Sequence, residues 1–290
     1  MVLLDNGILQ AAINPVGAEL TSLKLDGMER IWQGDPAIWN RHAPLLFPLI
    51  GRLINQQYEL DGKMIDAPMH GFCRDRQFAV ASQSATEVTF VTEDDEETYK
   101  VYPFHFRLEV TFRLEGNSVV KQHKVVNRSE REMPFELGGH DAYCTTLMLG
   151  EVMSDYAVAF EDCDHLEPFS MDASGALEFP KGNVPLQGGV LEQLPEQLGL
   201  DTLVVENLPV RKATLFSRKS DRKVTIEFED FPYLGIWTAQ KGVTTNYLCL
   251  EPWSTLPDGH FMGRKLTDKP GIVRLSPGEE KVLTFRSTFE

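Results

Sequence analysis

The chain has 290 residues, of which 42% are hydrophobic and 24% are charged, and it contains 17 Phe and 4 Trp. This is a globular composition with enough apolar material for a large core, and it excludes a disordered chain or a small disulfide-stabilised scaffold. Lys and Arg number 28 against 43 Asp and Glu, so the net charge is −15. A surface this acidic is unsuited to nucleic acid or to an anionic membrane, and neither is expected as a partner.

Targeting signals and cysteines point to one compartment. No apolar run approaches the ~18–20 residues that span a bilayer, and the N-terminus shows no basic region of the signal-peptide kind. The four cysteines are widely spaced, without a Cys-x-x-Cys pair. In a chain without an export signal we expect them to be reduced thiols. The sequence therefore predicts a cytoplasmic location.

Hydrophobic periodicity predicts short β-strands along nearly the whole chain. In chain order the predicted strands are 8–13, 19–25, 57–60, 63–65, 87–92, 107–113, 119–126, 202–206, 212–217, 223–229, 235–238, 247–251, 272–275 and 280–287. Residues 107–113 alternate polar and apolar, as a strand with one buried face does. The turn-forming Glu115-Gly116-Asn117 then leads into 119–126, so these two strands predict a hairpin.

Helix is predicted only as single turns at 36–39 and 192–198, the second interrupted by Pro195. The charged run 93–97 predicts a solvated loop, and the Gly- and Pro-rich segment 169–193 predicts a long surface excursion. Strands every 8–12 residues with turn signals between them are typical of a sandwich or barrel, not of βαβ units. With no internal repeat and no linker, the sequence predicts one all-β domain over 1–290.

Two early segments place arginine and histidine near predicted loops. Arg52 follows the apolar run Phe47-Pro48-Leu49-Ile50-Gly51, and its guanidinium fork would suit hydroxyl or anionic oxygens in a cavity. The alternative is a surface arginine that ends a strand. His70 precedes a glycine, which permits close approach of the chain to a ligand, and Arg74 lies four residues on.

The alternatives for His70 are a structural loop histidine or a partner of a nucleophilic Cys73, although nothing suggests an oxyanion hole. A metal site at His70 is disfavoured because no cluster of further ligands stands at suitable spacing. The sequence therefore predicts neither a metal nor a cofactor.

Two later segments supply a titratable ring and a carboxylate. His140 follows Gly138-Gly139, and histidine is the side chain best suited to proton transfer near neutrality. Glu251 closes an apolar strand, where desolvation raises a carboxyl pKa toward that of a useful general base. Trp253 beside it offers a flat face that would suit a sugar ring. The alternatives are an incidental histidine beside a hairpin glycine pair, and a glutamate that pairs with an arginine for structure only.

Together these segments resemble the aldose 1-epimerase (galactose mutarotase-like) family, in particular its short bacterial branch related to the lactose-operon protein LacX. The matching motifs are Phe-Pro-x-x-Gly-Arg at 47–52, His-Gly-Phe-x-Arg at 70–74, Tyr-Pro-Phe-x-Phe at 102–106, Gly-Gly-His at 138–140, Leu-Cys-Leu-Glu-Pro-Trp at 248–253 and Pro-Asp at 257–258. They occur in the family's order over about two hundred residues. The resemblance implies a large twisted β-sandwich, in agreement with the strand pattern.

The resemblance also implies roles for single residues. The catalytic set it implies is Glu251 as general base, His140 as general acid and His70 as a histidine that assists at the ring oxygen. The substrate-binding set it implies is Arg52, Arg74 and Asp201, to which the residue pattern adds Trp253. Asp141 departs from the family, which usually carries Pro there. An acid at this position either raises the pKa of His140 or points to solvent.

The implied activity is that of an isomerase, a mutarotase that interconverts α and β anomers of an aldohexose without a cofactor. A hexose 6-phosphate is an alternative substrate, because two arginines could anchor a phosphate. A carbohydrate-binding protein without turnover is a second alternative. A glycoside hydrolase is a third, and it would need a second carboxylate, for which only Asp201 or Asp258 could serve.

Overall fold

A computed structural model of the chain describes residues 1–172, 174–179, 181–194, 202–239 and 245–290. One short α-helix, α1 (Glu96–Val101), and 3₁₀ turns at Ile54–Gln56, Cys73–Asp75, Met153–Asp155 and Leu266–Asp268 lie among its strands. The strands, numbered in chain order, are β1 (Val2–Asp5), β2 (Leu9–Asn14), β3 (Glu19–Leu25), β4 (Met28–Glu29), β5 (Leu45–Leu46), β6 (Gln57–Leu60), β7 (Lys63–Asp66), β8 (Ala79–Gln83), β9 (Glu87–Glu93), β10 (Phe106–Glu115), β11 (Ser118–Asn127), β12 (Met133–Phe135), β13 (Gly138–Gly139), β14 (Asp141–Cys144), β15 (Tyr156–Phe160), β16 (His165–Leu166), β17 (Ser170–Met171), β18 (Leu177–Glu178), β19 (Val184–Pro185), β20 (Val190–Leu191), β21 (Leu203–Glu206), β22 (Lys212–Ser217), β23 (Lys223–Glu227), β24 (Tyr233–Trp237), β25 (Tyr247–Trp253), β26 (Val273–Leu275) and β27 (Glu280–Phe289).

Two large antiparallel sheets form the body of the structure. The nine-stranded sheet has the order β20-β15-β22-β23-β27-β11-β10-β9-β8, and the six-stranded sheet has the order β21-β24-β25-β13-β5 with β14 also paired to β25. A four-stranded sheet, β1-β2-β3-β4, stands at the N-terminus. The pairs β12-β26, β16-β19, β17-β18 and β6-β7 form short ribbons. The predicted all-β sandwich class is therefore confirmed.

The predicted hairpin is present as β10 and β11. Glu115 pairs with Ser118 at the turn, and the register continues without a shift to Phe106 and Asn127. Every second residue of β10 from Phe106 to Leu114 is buried. The alternation read from the sequence is thus the alternation between core and solvent.

Several local predictions need correction. The run predicted as a solvated loop leads into α1, which begins there because the Asp95 carboxylate accepts the backbone N–H groups of Glu97 and Thr98. Residues 36–38 form a hydrogen-bonded turn closed on the Asp35 carbonyl, not a helix. Most of the turn predicted at 192–198 lies outside the described residues.

The segment 169–193 is more than a surface excursion, because it contributes short strands and buried side chains. Phe169 and Leu177 belong to a buried apolar cluster with Trp253. Strand β15 was not predicted either. Its five residues are apolar throughout and four are buried, so no alternation marks it in the sequence.

The two large sheets pack face to face. On β25, Leu248 and Leu250 belong to the same core cluster as Phe285 of β27. The alternate residues Cys249 and Glu251 therefore lie on the other face of the six-stranded sheet. Approach of the sheets is close at Gly139, where an added Cβ would lie 2.7 Å from the Phe285 ring. The face away from the nine-stranded sheet carries the candidate site.

A buried ion pair between Asp141 and Lys121 joins the two sheets. Both carboxylate oxygens of Asp141 lie 2.6 Å from Nζ of Lys121 on β11, and both side chains are buried. The Tyr143 hydroxyl lies 3.3 Å from Asp141 and 2.7 Å from the Ser287 hydroxyl. Asp141 therefore points into the core between the sheets, and neither of the two expected roles applies. Adjacent strand residues face opposite sides of a sheet, so His140 and Asp141 are neighbours only in sequence.

All four cysteines are free thiols. In the described ranges, no helix combines the length and apolarity that a membrane crossing requires.

Candidate active site

His140 and Glu251 meet on the outer face of the six-stranded sheet. His140 stands between β13 and β14, and Glu251 lies on β25 with Gly235 of β24 directly opposite it. His140 Nε2 is 3.4 Å from Glu251 Oε1. Only 7% of His140 and 1% of Glu251 is exposed. A buried imidazole and carboxylate within reach of each other form a pair suited to proton transfer.

Aromatic rings enclose this pair. Trp39 stacks on the His140 ring with centroids 5.0 Å apart, and Trp237 meets it edge-on at 5.4 Å. Tyr247 also stacks on Trp39, with centroids 5.7 Å apart, and the Trp32 indole N–H donates to the Trp39 carbonyl at 2.9 Å. Both Trp39 and Trp237 are half-buried. They could therefore present an apolar face to the C–H groups of a sugar.

Neither Trp39 nor Trp237 was singled out from the sequence. Trp237 carries a weak signal, because it lies on a predicted strand two residues after Gly235 and so shares its face. That signal becomes useful only once β24 is known to pair with β25. Trp39 carries no signal, since it follows a turn and reaches His140 by tertiary packing alone.

His70 lies beside His140, with ring centroids 5.6 Å apart and the rings nearly perpendicular. It has a positive φ of 65°, and its backbone N–H donates to the Gly51 carbonyl at 2.9 Å. The Gly51 N–H donates in return to His70 Nδ1 at 3.1 Å. Nδ1 is thus an acceptor, so the neutral ring carries its proton on Nε2.

The glycine after His70 is needed for close approach of two segments. Gly71 has a φ of 68°, and an added Cβ would lie 2.3 Å from the Phe47 carbonyl oxygen. No L side chain fits at this distance. The two arginine-bearing segments therefore meet directly. The close approach at Gly71 is to the Phe47 backbone, whereas a ligand was expected there from the sequence.

Arginines make the site electropositive. Arg41, Arg52 and Arg74 each lower the pKa of His70, and Arg41 and Arg74 also lower that of His140. Arg41 Nη2 pairs with Asp75 at 2.9 Å, and Arg74 Nε lies 3.7 Å from the same residue. The Arg52 guanidinium lies 3.5 Å from the Ser174 carbonyl. Arg52 and Arg74 were predicted from the sequence, whereas Arg41 was not.

Both histidines are neutral near pH 7. Burial, more than the arginines, lowers the pKa of His140 to about 3 and that of His70 well below its ordinary value. Each is therefore uncharged near neutral pH, with an N–H to donate and a nitrogen to accept.

These pKa shifts predict acid-sensitive stability. His70, His123 and His140 all have lowered pKa values, about 3 for the last two, so at pH 5–6 the unfolded chain binds three protons that the folded chain does not. Burial raises the pKa of Glu136 to about 7, so at pH 5–6 the folded chain binds one proton there that the unfolded chain does not. The net difference is therefore two protons. With two net protons, the free energy of unfolding is expected to fall by up to about 2.7 kcal/mol per pH unit as pH drops from 6 to 5.

Urea unfolding at pH 7, 6 and 5 measures this slope. His123→Gln, a change in β11 away from the site, is expected to reduce it by about 1.4 kcal/mol per pH unit. A stability that is constant or rises toward pH 5 would contradict the assignment of neutral buried histidines.

Trp253 and Asp201 were expected to bind substrate. Trp253 is 3% exposed, and added Cβ atoms at Gly138 and Gly235 would lie 2.7 and 2.6 Å from its ring. The indole thus packs tightly against the backbone beneath the site, and its stacking on a sugar stays a prediction that this placement does not favour. Asp201 lies outside the described residues.

A buried charge network that the sequence did not reveal holds the Arg52 segment. Lys269 Nζ lies 2.6 Å from Glu136 Oε1 and 3.3 Å from Asp258 Oδ1. Glu136 accepts the Ile50 N–H at 2.5 Å, and Asp258 accepts the Ile54 N–H at 3.0 Å. The backbone on both sides of Arg52 is therefore bonded to one buried ammonium through two carboxylates.

Three donor side chains in the site could hold a metal ion. Ligand atoms of His140, Cys249 and Glu251 all lie within 4.8 Å of one another, and all three residues are buried. No metal site was predicted from the sequence at these residues. The strand period places Cys249 and Glu251 on one face, which is the signal that could have shown this group. A second trio, Asp172, Glu178 and His260, lies near the surface.

Comparison with known proteins decides the family. Residues 1–271 match the family model described as aldose 1-epimerase. The chain belongs to the aldose 1-epimerase family. This family member is 32% identical over 286 residues to Protein LacX, plasmid, of Lactococcus lactis subsp. lactis, with 94% of each chain covered.

Solved structures agree with this assignment. A galactose mutarotase related enzyme from Lactobacillus acidophilus has a TM-score of 0.94 and 31% identity, covering 100% of this family member and 97% of that chain. A galactose mutarotase-like protein from Lactobacillus casei ATCC 334 has a TM-score of 0.93 and 32% identity, with 100% of both chains covered. The family resemblance that these motifs carry is thus confirmed, and so is the sandwich that it implied.

Proposed function

We propose that this aldose 1-epimerase family member is a mutarotase that interconverts the α and β anomers of an aldohexose. The observation that supports it is the 3.4 Å separation of His140 Nε2 and Glu251 Oε1. Opening a pyranose removes the proton of the anomeric hydroxyl while the ring oxygen gains one. Both oxygens are bonded to one carbon, so the base and the acid must stand next to each other.

In the proposed reaction Glu251 takes the proton of the anomeric hydroxyl, the bond from C1 to the ring oxygen breaks, and His140 protonates that oxygen. The open aldehyde rotates about its C1–C2 bond and closes on the other face with the proton transfers reversed. His70, 5.6 Å from His140 between ring centroids, assists at the ring oxygen. Trp39 and Trp237 exclude water from the pair.

The protonation state of His140 sets a condition on this reaction. The imidazole is neutral, because burial and two arginines lower its pKa. Its action as an acid therefore requires a proton taken up with the substrate. Glu251 favours that charged form through its contact with Nε2, and so does the negative charge that develops on the ring oxygen.

Two substrate classes remain in this proposal, a free aldohexose and a hexose 6-phosphate. Arg41, Arg52 and Arg74 place three guanidinium groups around the histidines of a chain whose net charge is −15. Arg41 is already paired with Asp75, whereas Arg52 forms no ion pair with a described residue. A free hexose is the main proposal, with the arginines binding its hydroxyl groups. A phosphate on Arg52 is the variant.

An anomer-specific polarimetric assay tests the proposal and separates the two classes. We expect pure α-glucose and α-galactose to equilibrate faster with the protein than in buffer alone. For the phosphate variant, glucose 6-phosphate would be preferred and Arg52→Ala would raise its KM more than that of glucose. No acceleration with any of these sugars, in folded protein, would remove the mutarotase proposal.

The hydrolase alternative loses one of its two candidate carboxylates. Retaining and inverting glycosidases both need a second free carboxyl group across the bond, at ~5–9.5 Å from the first. Asp258 is engaged by Lys269 and by the Ile54 N–H. Release of an aryl group from an aryl glycoside would restore this alternative.

A further inference from the structure

Away from the candidate active site, a small cavity lies where three sheets meet. Arg30, the residue directly after β4, lines this cavity. Tyr143 and Cys144 of β14 also line it, as do Tyr156 and Val224 of the nine-stranded sheet. Its volume is about 10 Å³. This is room for a single water or monatomic ion, and it excludes a phosphate or a sugar.

The cavity contains a guanidinium without a counter-ion. Arg30 is 2% exposed, and its Nε and Nη2 atoms are buried without a hydrogen-bond partner among the described residues. A buried unpaired charge costs several kcal/mol, so native structures pair such groups or bind an ion beside them.

Further positive charge surrounds the same space. Arg222 and Lys223 also line it, and Arg222 is close enough to lower the pKa of Arg30. Lys223 pairs with Glu290 at 3.1 Å, whereas Arg222 forms no ion pair in the described part of the chain. Two arginines without carboxylates therefore share one cavity in a protein of net charge −15.

Neighbouring carboxylates do not pair with these two arginines. The charge of Asp26 raises the pKa of Arg30, but Asp26 forms no ion pair with it among the described residues. Glu151 reaches Tyr156 at the cavity wall, but its oxygens accept hydrogen bonds from the hydroxyls of Tyr156, Ser217 and Ser220. Asp141 is bonded to Lys121. The charge left on Arg30 and Arg222 thus calls for an anion from solution.

We propose that this cavity binds one chloride ion between Arg30 and Arg222. The ion neutralises the buried guanidinium and joins the end of β4, β14 and the nine-stranded sheet. Because an anion that binds the folded chain alone adds RT ln(1 + [L]/Kd) to its stability, thermal stability depends on chloride itself and not on ionic strength. This site is independent of the proposed enzyme activity.

Thermal unfolding in sodium chloride and in sodium gluconate tests the proposal, with 0.3 M total salt held constant while chloride replaces gluconate. We expect Tm to rise by at least about 2 °C from gluconate to chloride, and bromide to act like chloride. Arg222→Gln, a change at a half-buried position, is expected to abolish most of this rise. Arg113→Gln, on the outer face of β10, is the matched control and keeps it.

Crystals soaked in bromide supply a second measurement that does not depend on any variant. We expect an anomalous peak between the Arg30 and Arg222 guanidinium groups. Equal Tm values in the two salts would overturn the proposal. So would an unchanged chloride response in Arg222→Gln, or a site without anomalous signal in the bromide-soaked crystals.

Discussion

Glu251→Gln is expected to lower kcat for anomer interconversion by about 10²–10⁴-fold, the usual contribution of a positioned general base. Glutamine keeps the shape of the side chain, and its carbonyl can still lie 3.4 Å from His140 Nε2, but it cannot take the proton of the anomeric hydroxyl. KM is expected to change much less than kcat. Progress curves from pure α-anomer, followed by polarimetry over a range of sugar concentrations, separate the two parameters.

Glu109→Gln provides the matched control for this loss. It makes the same chemical change on β10, where Glu109 is half-buried and pairs with Arg107 outside the core. Its kcat is expected to stay within about twofold of the unmodified protein. If Glu251→Gln retained full kcat, the role of Glu251 would be wrong. If it bound sugar normally and the unmodified protein had no turnover to lose, a carbohydrate-binding function would replace the mutarotase.

Asp141→Asn is expected to lower the free energy of unfolding by about 3–5 kcal/mol, because it leaves the Lys121 ammonium buried without a charge partner. The Tyr143 and Ser287 hydroxyls near Asp141 are uncharged, so they cannot neutralise the ammonium. Guanidinium chloride unfolding, followed by tryptophan fluorescence, measures the change.

The paired variant Lys121→Met with Asp141→Leu distinguishes a lost ion pair from disturbed packing. Removing both charges also removes the unpaired one, so this variant is expected to regain most of the stability that Asp141→Asn loses. A double variant as unstable as the single one would mean that packing, not charge, explains the loss. The kcat of folded Asp141→Asn is expected to stay near normal, because Asp141 faces away from the candidate site.

Much of the fold could be predicted from the alternation of polar and apolar residues along the chain. The hairpin of β10 and β11 shows this, because one strongly amphipathic strand, a Gly-containing turn and a second strand leave a single sensible pairing. Strand β15 was not readable, since a strand buried on both faces has no alternation to detect. Helix α1 was missed because its first turn is acidic and resembles a solvated loop until the Asp95 cap is considered.

A residue of the candidate site could be predicted from the sequence only where it belongs to a distinctive local motif. His70, His140 and Arg52 each stand beside a glycine. Glu251 ends an apolar run, and Arg74 lies four residues after His70 in the same motif. The structure places His70, His140 and Glu251 around one point. Arg41, Trp39, Glu136 and Lys269 stand in no such motif. Lys269 and Glu136 are more than one hundred residues apart in the sequence, so no local pattern predicts their contact.

By itself the sequence determined the all-β class and the family, because these depend on local periodicity and on motifs read in order. It also led to the proposal of His140 and Glu251 as an acid–base pair. Only the tertiary structure decided which groups share a space. His140 and Asp141 are adjacent in the chain, yet one faces the site and the other pairs with Lys121 in the core. Alternation along a strand says that neighbours point opposite ways. Which of the two side chains faces the candidate site depends on which face of the six-stranded sheet the nine-stranded sheet covers.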